Sequence, residues 1–462
     1  MLTRICSLIL VAFATGCSSA PAPSQASEFA TWVDTIAAET LRGGLVPSVS
    51  IAIARGPNIV LEKTYGRADI ENNVPAGNDT IYRIASITKQ FTAAAILRLV
   101  EQGRVDLDAD ISKYISEFHT RGTRITIRQL LNHTSGIQNI TDLPALESKM
   151  RLDLTDAETL AIFQDEPLNF QPGTNFLYNN SGFYILAMVI ERTSGQSITE
   201  HLQRSMFEPL GLRSTSVCDE RRVVPHRAHG YIVEKGQLLN PPYISHDLPK
   251  GGGNMCSTAH DLVLWAQALA SGMVVKPESY AMMTTPGTLS DGRPVGYGLG
   301  LFLSEFGGQV EIFHGGDFWS FTSFLAWYPA DNVAIAVLQN SQSAPAFDGF
   351  LARRIVHRLR ERPNATPFPN AGDDKEFERV VGTYRIGAAS FEVSRDSADI
   401  VVKSPTAWQL SETRFRPRGG GVFTSLRNPE LSVRFEGEGE HAKTLSLTLH
   451  GRAFGDAVYR EK

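Results

Sequence analysis

Hydrophobic and polar positions change period several times along this chain, and each change marks an element. Phe29, Trp32, Val33, Ile36 and Ala37 recur at helical spacing and predict a helix over Phe29–Leu41. Ser48-Val-Ser-Ile-Ala-Ile-Ala54 alternates and predicts a strand. Asn58–Tyr65 predicts a second strand, with Arg55-Gly-Pro57 as the hairpin between them. A long apolar helix pattern opens at Ser86, runs through Phe91, Ala95, Leu97 and Leu99, and stops at Gly103. The middle of the chain reads as mostly helical, with loops at 132–141 and 171–175. Further on, Phe302, Val310–His314, Phe321–Tyr328 and Val333–Leu338 are rich in β-branched and aromatic residues. Gly or Asp-Asn turns separate them, so they predict antiparallel strands, followed by a closing helix over Leu351–Leu359.

This order predicts an α+β fold over residues 29–360: an antiparallel sheet flanked by helices, beside a helical lobe. Residues 361–374 begin Glu361-Arg-Pro-Asn-Ala-Thr-Pro and read as a linker. Residues 375–462 carry short alternating runs such as Ser390–Val393, Ile400–Val402, Leu431–Phe435 and Leu445–Leu449. They predict a small all-β C-terminal domain, either barrel or sandwich. No internal repeat is visible.

Composition narrows the classes. With 462 residues the chain is longer than one core usually serves, and 42% hydrophobic with 20% charged residues is ordinary for a globular protein. A net charge of −5 gives a nucleic-acid partner no electrostatic support. No internal stretch approaches the roughly 20 apolar residues of a membrane span. The N-terminus differs: Arg4 followed by the apolar run Ile5–Thr15 has the form of a secretory signal, residues 1–16, with a Ser/Ala/Pro-rich tether over 17–28. Phe13-Ala-Thr-Gly-Cys17 resembles the lipobox of bacterial lipoproteins, which implies cleavage before Cys17 and lipidation of its sulfur. Ala14 stands where a lipobox usually carries Leu, so cleavage near Ala20 or Ala22 is the alternative. The expected location is the bacterial cell envelope, exported and facing the periplasm, with membrane contact through a lipid at Cys17. Cys6 would leave with the signal, and Cys218 and Cys256 remain as either a disulfide or two buried thiols.

The chemistry is concentrated in three short motifs. Ser86-Ile-Thr-Lys89 puts a hydroxyl and an amine one helical turn apart on one face. A serine hydroxyl needs such a neighbouring base to become a nucleophile. A first-turn position also surrounds it with unsatisfied N–H groups that favour negative charge. Tyr178-Asn-Asn180 and His314-Gly-Gly316 are the other two. In this order they match the three signatures of the serine β-lactamase and penicillin-binding-protein superfamily. The Tyr variant of the second motif resembles class C β-lactamases, DD-carboxypeptidases, D-aminopeptidases and related esterases. The resemblance spans about Phe29–Leu359 and includes Leu130-Leu-Asn-His-Thr-Ser-Gly136, Phe207-Glu-Pro-Leu-Gly211 and Gly251-Gly-Gly-Asn-Met-Cys-Ser-Thr258.

That resemblance implies a β-lactamase/transpeptidase-like fold and catalysis by Ser86, Lys89, Tyr178, Asn180 and His314. Ser86 would form an acyl-enzyme, Lys89 would accept its proton, and Tyr178 would share base duty and protonate the leaving group, a phenol near cations ionising more readily. Asn180 would hold Lys89 and a substrate amide together. Backbone N–H groups of Ser86 and Asp317 would form the oxyanion hole. Gly315 and Gly316 would let substrate backbone lie close to the strand, and Phe318 and Trp319 would narrow the cleft or supply an apolar acyl pocket. Two departures bear on substrate. His314 replaces the lysine of a Lys-Thr-Gly motif, removing a permanent cation that would grip a substrate carboxylate. Ser320 stands where many relatives carry glycine. His133 reads as a loop cap rather than a catalytic member. The histidines show no metal-binding spacing, so neither a metal nor a cofactor is expected. The function these features favour is a serine hydrolase acting on D-amino-acid-containing peptides or small esters and amides. The alternatives are a β-lactamase and a non-catalytic envelope binding protein.

Overall fold

A computed structural model describes residues 25–342, 349–360, 374–386, 389–403, 413–425, 431–437, 439, 441–449 and 452–460. The signal segment, Cys17, most of the tether and linker residues 361–373 lie outside the described residues.

The chain opens with α1 (Gln25–Arg42), which starts ahead of Phe29 within the expected tether. β1 (Ser48–Arg55), β2 (Asn58–Asp69) and the short β3 (Val74–Pro75) follow. β4 (Tyr82–Arg83) leads through a tight turn, Ala85–Ile87, into α2 (Thr88–Glu101). The helical lobe includes α3 (Ile127–Leu131), α4 (Asp156–Phe163) and α5 (Asn180–Ser194). Thr126 with Gln129, and Thr155 with Glu158, make reciprocal capping boxes that fix where α3 and α4 begin. β5 (Ser216–Val217) and a hairpin of β6 (Ile232–Glu234) with β7 (Gln237–Leu239) precede β8 (Met255–Ser257). The main sheet is then completed by β9 (Phe302–Phe306), β10 (Gln309–Phe318), β11 (Phe321–Tyr328) and β12 (Val333–Gln339). Its order is β3-β2-β1-β12-β11-β10-β9, and the small sheet β4-β8-β5 stands beside it.

Alternation along the central strands explains why the sheet is buried on both faces. Ala52 and Ala54 of β1 and Ala334, Ala336 and Leu338 of β12 face one core. Their small side chains admit the helix Ala259–Ala270, which lies across β1, β11 and β12. Val49, Ile51 and Ile53 with Val333, Ile335 and Val337 face the other core, against Val33 and Ile36 of α1 and Ile355 and Val356 of the helix Phe350–Leu359. Inside that second core lies a buried ion pair: Arg353 meets Glu311 through two hydrogen bonds of 3.0 and 2.7 Å, and Ser304 and Tyr328 also donate to the carboxylate. At the C-terminal end, eight antiparallel strands from Gly382–Ile386 to Arg452–Arg460 close into a barrel, the first pairing with the last. Tyr384, Phe391, Val402, Phe415, Phe423 and Phe435 are among its buried side chains. No helix among the described residues is long and apolar enough to cross a membrane.

Candidate active site

Ser86 sits in the turn between β4 and α2, with Ala85 before it in the left-handed region at φ +46°. That conformation is costly for a residue with a side chain and persists only where neighbours enforce it. Here the Ile84 N–H donates to the Met255 carbonyl at 2.9 Å, and the Ser323 hydroxyl donates to the Ile84 carbonyl at 2.8 Å. β10 presses on the same turn. A Cβ at Gly316 would stand 2.3 Å from the Ile84 carbonyl oxygen and 3.1 Å from Ala85 Cβ. Gly316 is therefore demanded by the seat of the nucleophile, and it does not border the cleft. Gly315 pairs with Phe324 across the ladder. Gly316 thus differs from the expected substrate-binding role, because it admits the protein's own backbone.

Lys89 is the hub. Its Nζ lies 3.1 Å from Ser86 Oγ and 2.8 Å from both Asn180 Oδ1 and the Gly252 carbonyl oxygen. The amine is fully buried and every one of these partners is neutral, so burial holds it well below the ordinary lysine pKa. A neutral amine has two N–H groups and one lone pair. When Lys89 is in its neutral form, the two carbonyl oxygens take the N–H groups and the lone pair can accept the Ser86 proton. Asn180 is itself oriented: its Nδ2 donates to Thr141 Oγ1 at 3.3 Å and its backbone N–H to Asn139 Oδ1 at 2.9 Å. Gly252 comes from the Gly251–Asn254 segment, where Gly251 has φ +70° and a Cβ would meet the Phe183 carbonyl oxygen at 2.6 Å. The role of the Gly252 carbonyl is invisible to side-chain reasoning, although its segment carries part of the family resemblance.

Tyr178 packs over Lys89, with Nζ 4.7 Å from the ring centroid. Burial raises its pKa well above the ordinary phenol value, and a hydrogen bond with the Ser86 side chain pulls weakly the other way. The expectation of an easily ionised phenol is thus corrected: desolvation dominates, and Tyr178 is a neutral hydroxyl beside the nucleophile. Asn179, between the two motif residues, caps α5 by accepting from the Gly182 N–H at 2.8 Å. His133 accepts the Asn179 N–H through Nδ1 at 3.1 Å. Burial and the nearby Lys89 hold His133 neutral, and its contact with this helix start suits a loop cap.

His314 is buried rather than poised in the cleft. Its Nε2 lies 3.0 Å from Tyr297 Oη and its Nδ1 2.5 Å from the Gly315 carbonyl oxygen. This pairing fixes the tautomer with the proton on Nδ1 and Tyr297 as donor to Nε2. Burial, with Lys89 adding to it, lowers the His314 pKa to about 3. The imidazole packs near the Tyr178 ring, centroids 6.1 Å apart, and so buttresses that ring. Between pH 6.5 and 3 the unfolded chain binds a proton on this residue that the folded chain refuses, so its contribution to stability falls as pH falls. His314→Asn should therefore gain on the wild type by about 3 kcal/mol when denaturant midpoints are compared at pH 4 and pH 7. A gap between the two proteins that does not change with pH would refute this.

The cleft above Ser86 has a volume of about 210 Å³ and is lined by Asn180, Leu248, Asp317, Phe318, Trp319 and Gln342, among others. Phe318 and Trp319 border it as expected, at the β10–β11 turn where Trp319 takes φ +37°. Ser86 and Asp317, the expected oxyanion-hole residues, border the same space. Asp153, His246 and Asp247 place ligand atoms within 4.8 Å of one another, but the Arg221 guanidinium already stands 3.3 Å from His246 Nε2.

Cys218 and Cys256 are joined in a disulfide with Cα atoms 5.3 Å apart. The bond clamps the end of β5 to β8, just beyond the Gly252 segment. Replacing both cysteines with serine should cost about 4 kcal/mol, from the 38-residue separation it spans, and should lower kcat as the Gly252 carbonyl loosens. Unchanged denaturant midpoint and kcat would contradict both roles.

A family model described as Beta-lactamase matches residues 33–360. Protein flp of Staphylococcus aureus is 31% identical over 409 residues, covering 85% of this chain and 78% of that protein. The octameric penicillin-binding protein homologue from Pyrococcus abyssi superposes with a TM-score of 0.68 at 25% identity, covering 93% of this chain and 99% of that one. A D-stereospecific amidohydrolase from Streptomyces sp. superposes at 0.61 with 26% identity, covering 71% of this chain and 97% of that one.

Proposed function

The chain belongs to the Beta-lactamase family and is a serine hydrolase, and from that premise we propose that it acts through an acyl-enzyme on D-amino-acid-containing peptides, amides or small esters. The observation that carries this reading is the Lys89 hub: a buried amine, its pKa lowered by burial, within hydrogen-bond distance of Ser86 Oγ and two carbonyl oxygens. Lys89 accepts the Ser86 proton as Oγ attacks the substrate carbonyl carbon. The developing oxyanion is received by the backbone N–H groups of Ser86 and Asp317, each such donor contributing about 3 kcal/mol in acyl transfer. Tyr178, hydrogen-bonded to Ser86, donates its own proton to the leaving group as the scissile bond breaks, and the proton held on Lys89 replaces it. Water then attacks the ester carbonyl and gives its proton to Lys89; as the bond from Ser86 Oγ to the acyl carbon breaks, that proton returns to Ser86 and the acid is released.

Among the described residues, the cleft offers no cation to a carboxylate-bearing ligand such as a penicillin. Support for the D-amino-acid class comes from the Streptomyces amidohydrolase, whose stereospecificity belongs to that protein. The disulfide supports an exported location, and the lipobox-like segment a lipid anchor at Cys17. The test is a panel of D- and L-aminoacyl p-nitroanilides, p-nitrophenyl esters and nitrocefin, with Ser86→Ala in parallel. Ser86-dependent turnover of D-aminoacyl substrates, with nitrocefin slow, is expected. No turnover, or equal turnover by Ser86→Ala, would sink the reading.

A further inference from the structure

A second cavity, of about 250 Å³, lies in the helical lobe and shares no lining residue with the cleft above Ser86. Gln138 and Gln164 both line it, and among the described residues their side-chain carbonyl oxygens are buried without a hydrogen-bond partner. Gln138 is 7% exposed, and its Nε2 donates to the Pro167 carbonyl at 2.9 Å. Glu166 and Leu168, on either side of Pro167, line the same cavity, which puts the Gln138 amide in its wall. Gln164 follows Phe163, the last residue of α4 and another lining side chain. Phe118, Ile125 and Ile137 extend the apolar part of the wall. At the rim, Arg121 Nη2 donates to the Asp165 carbonyl oxygen, and His119 Nδ1 lies 3.3 Å from the Asp165 carboxylate. Asp165 thus occupies both cationic side chains, and Glu166 has no ion-pair partner among the described residues.

A buried carbonyl oxygen without a donor is destabilising. Two of them beside an unpaired carboxylate favour a cation rich in N–H groups. Water would satisfy the oxygens and leave the apolar wall wet. A primary ammonium on a small hydrocarbon body answers both, with three N–H donors for the oxygens and its body against Phe118 and Phe163. We propose that this cavity is an effector site for small primary amines with an apolar body. Its wall leads directly to the catalytic helix. The Ile137 carbonyl accepts from Asn179 Nδ2 at 2.5 Å, and the Gln138 carbonyl from Ser181 Oγ at 2.8 Å. Asn139 Oδ1, next in the chain, accepts the Asn180 N–H at 2.9 Å. A ligand that steadies Ile137–Asn139 therefore steadies the start of α5, and with it the oxygen that Asn180 presents to Lys89. The effector role rests on Ser86 being the nucleophile; the binding site does not.

Phenethylamine is the probe, with phenethyl alcohol as its uncharged match, each titrated by calorimetry into the full chain. The wild type should bind the amine at least about tenfold more tightly than the alcohol, and should still bind it once Ser86 carries a fluorophosphonate adduct. Gln164→Leu removes an oxygen with no hydrogen bond to lose, so its denaturant midpoint should not fall. Its affinity for the amine should drop at least about tenfold. Saturating amine should speed fluorophosphonate labelling of Ser86 at least about fivefold in the wild type and leave it unchanged in Gln164→Leu. No binding of the amine by the wild type, or equal binding of the alcohol, overturns the proposal without recourse to any variant. Loss of binding in the Ser86 adduct puts the amine in the catalytic cleft, and unchanged affinity in Gln164→Leu puts it outside this cavity; either overturns the site. Binding that leaves labelling unchanged overturns the effector role. A wild type that binds the amine and is never labelled overturns the acyl-enzyme reading instead.

Discussion

Lys89→Met should lower kcat/KM for any ester or amide substrate by at least about 10³-fold. The loss follows from geometry: the Lys89 amine is the basic group in hydrogen-bond reach of Ser86 Oγ, and burial has already removed most of the cost of using it as a base. Tyr178 does not substitute, because its own pKa is raised by the same burial. The pH profile carries a second signature. For a substrate that does not titrate, wild-type kcat/KM should rise along a limb whose midpoint lies well below the ordinary lysine value of 10.5, and that limb should disappear in Lys89→Met. A variant within tenfold of the wild type, or one that keeps the limb, would remove Lys89 from the mechanism.

Arg353→Met should cost about 4 kcal/mol of stability and leave the site chemistry intact where the protein remains folded. Arg353 and Glu311 are buried together, with side-chain exposures of 4% and 0%, so removing the cation leaves a carboxylate with no water to turn to. The thermal midpoint should fall by roughly 6 °C. The penalty is that of an uncompensated charge, and so Arg353→Met combined with Glu311→Gln should be more stable than Arg353→Met alone. If the double variant is the weaker of the two, the pair contributes through packing and hydrogen bonding instead.

How much of this could be read in advance depends on whether local sequence determined it. The alternation of Ala with Val and Ile in β1 and β12 writes both faces of the sheet into the chain, and the strands and their order of appearance follow. Ser86 and Lys89 were legible because one helical turn fixes their distance, and Tyr178 and Asn180 because their motif begins a helix. What tertiary burial decides was not legible. His314 was expected in the cleft, and packing placed it behind Tyr178. Gly316 was expected to serve the substrate, and the turn at Ile84–Ala85 occupies that space. The Gly252 carbonyl is backbone, so residue types say nothing of it. Closure of the C-terminal strands into a barrel depends on the pairing of Thr383 with Arg460, a contact between segments far apart in sequence. Sequence likewise left the state of Cys218 and Cys256 open, since pairing depends on β5 meeting β8.

The most direct test of the central claim is intact-mass spectrometry of the wild type and Ser86→Ala after a serine-directed fluorophosphonate, followed by peptide mapping. The account predicts one covalent adduct on the wild type, mapped to Ser86, and no adduct on Ser86→Ala. An adduct on both proteins, or one mapped to another side chain, would contradict it.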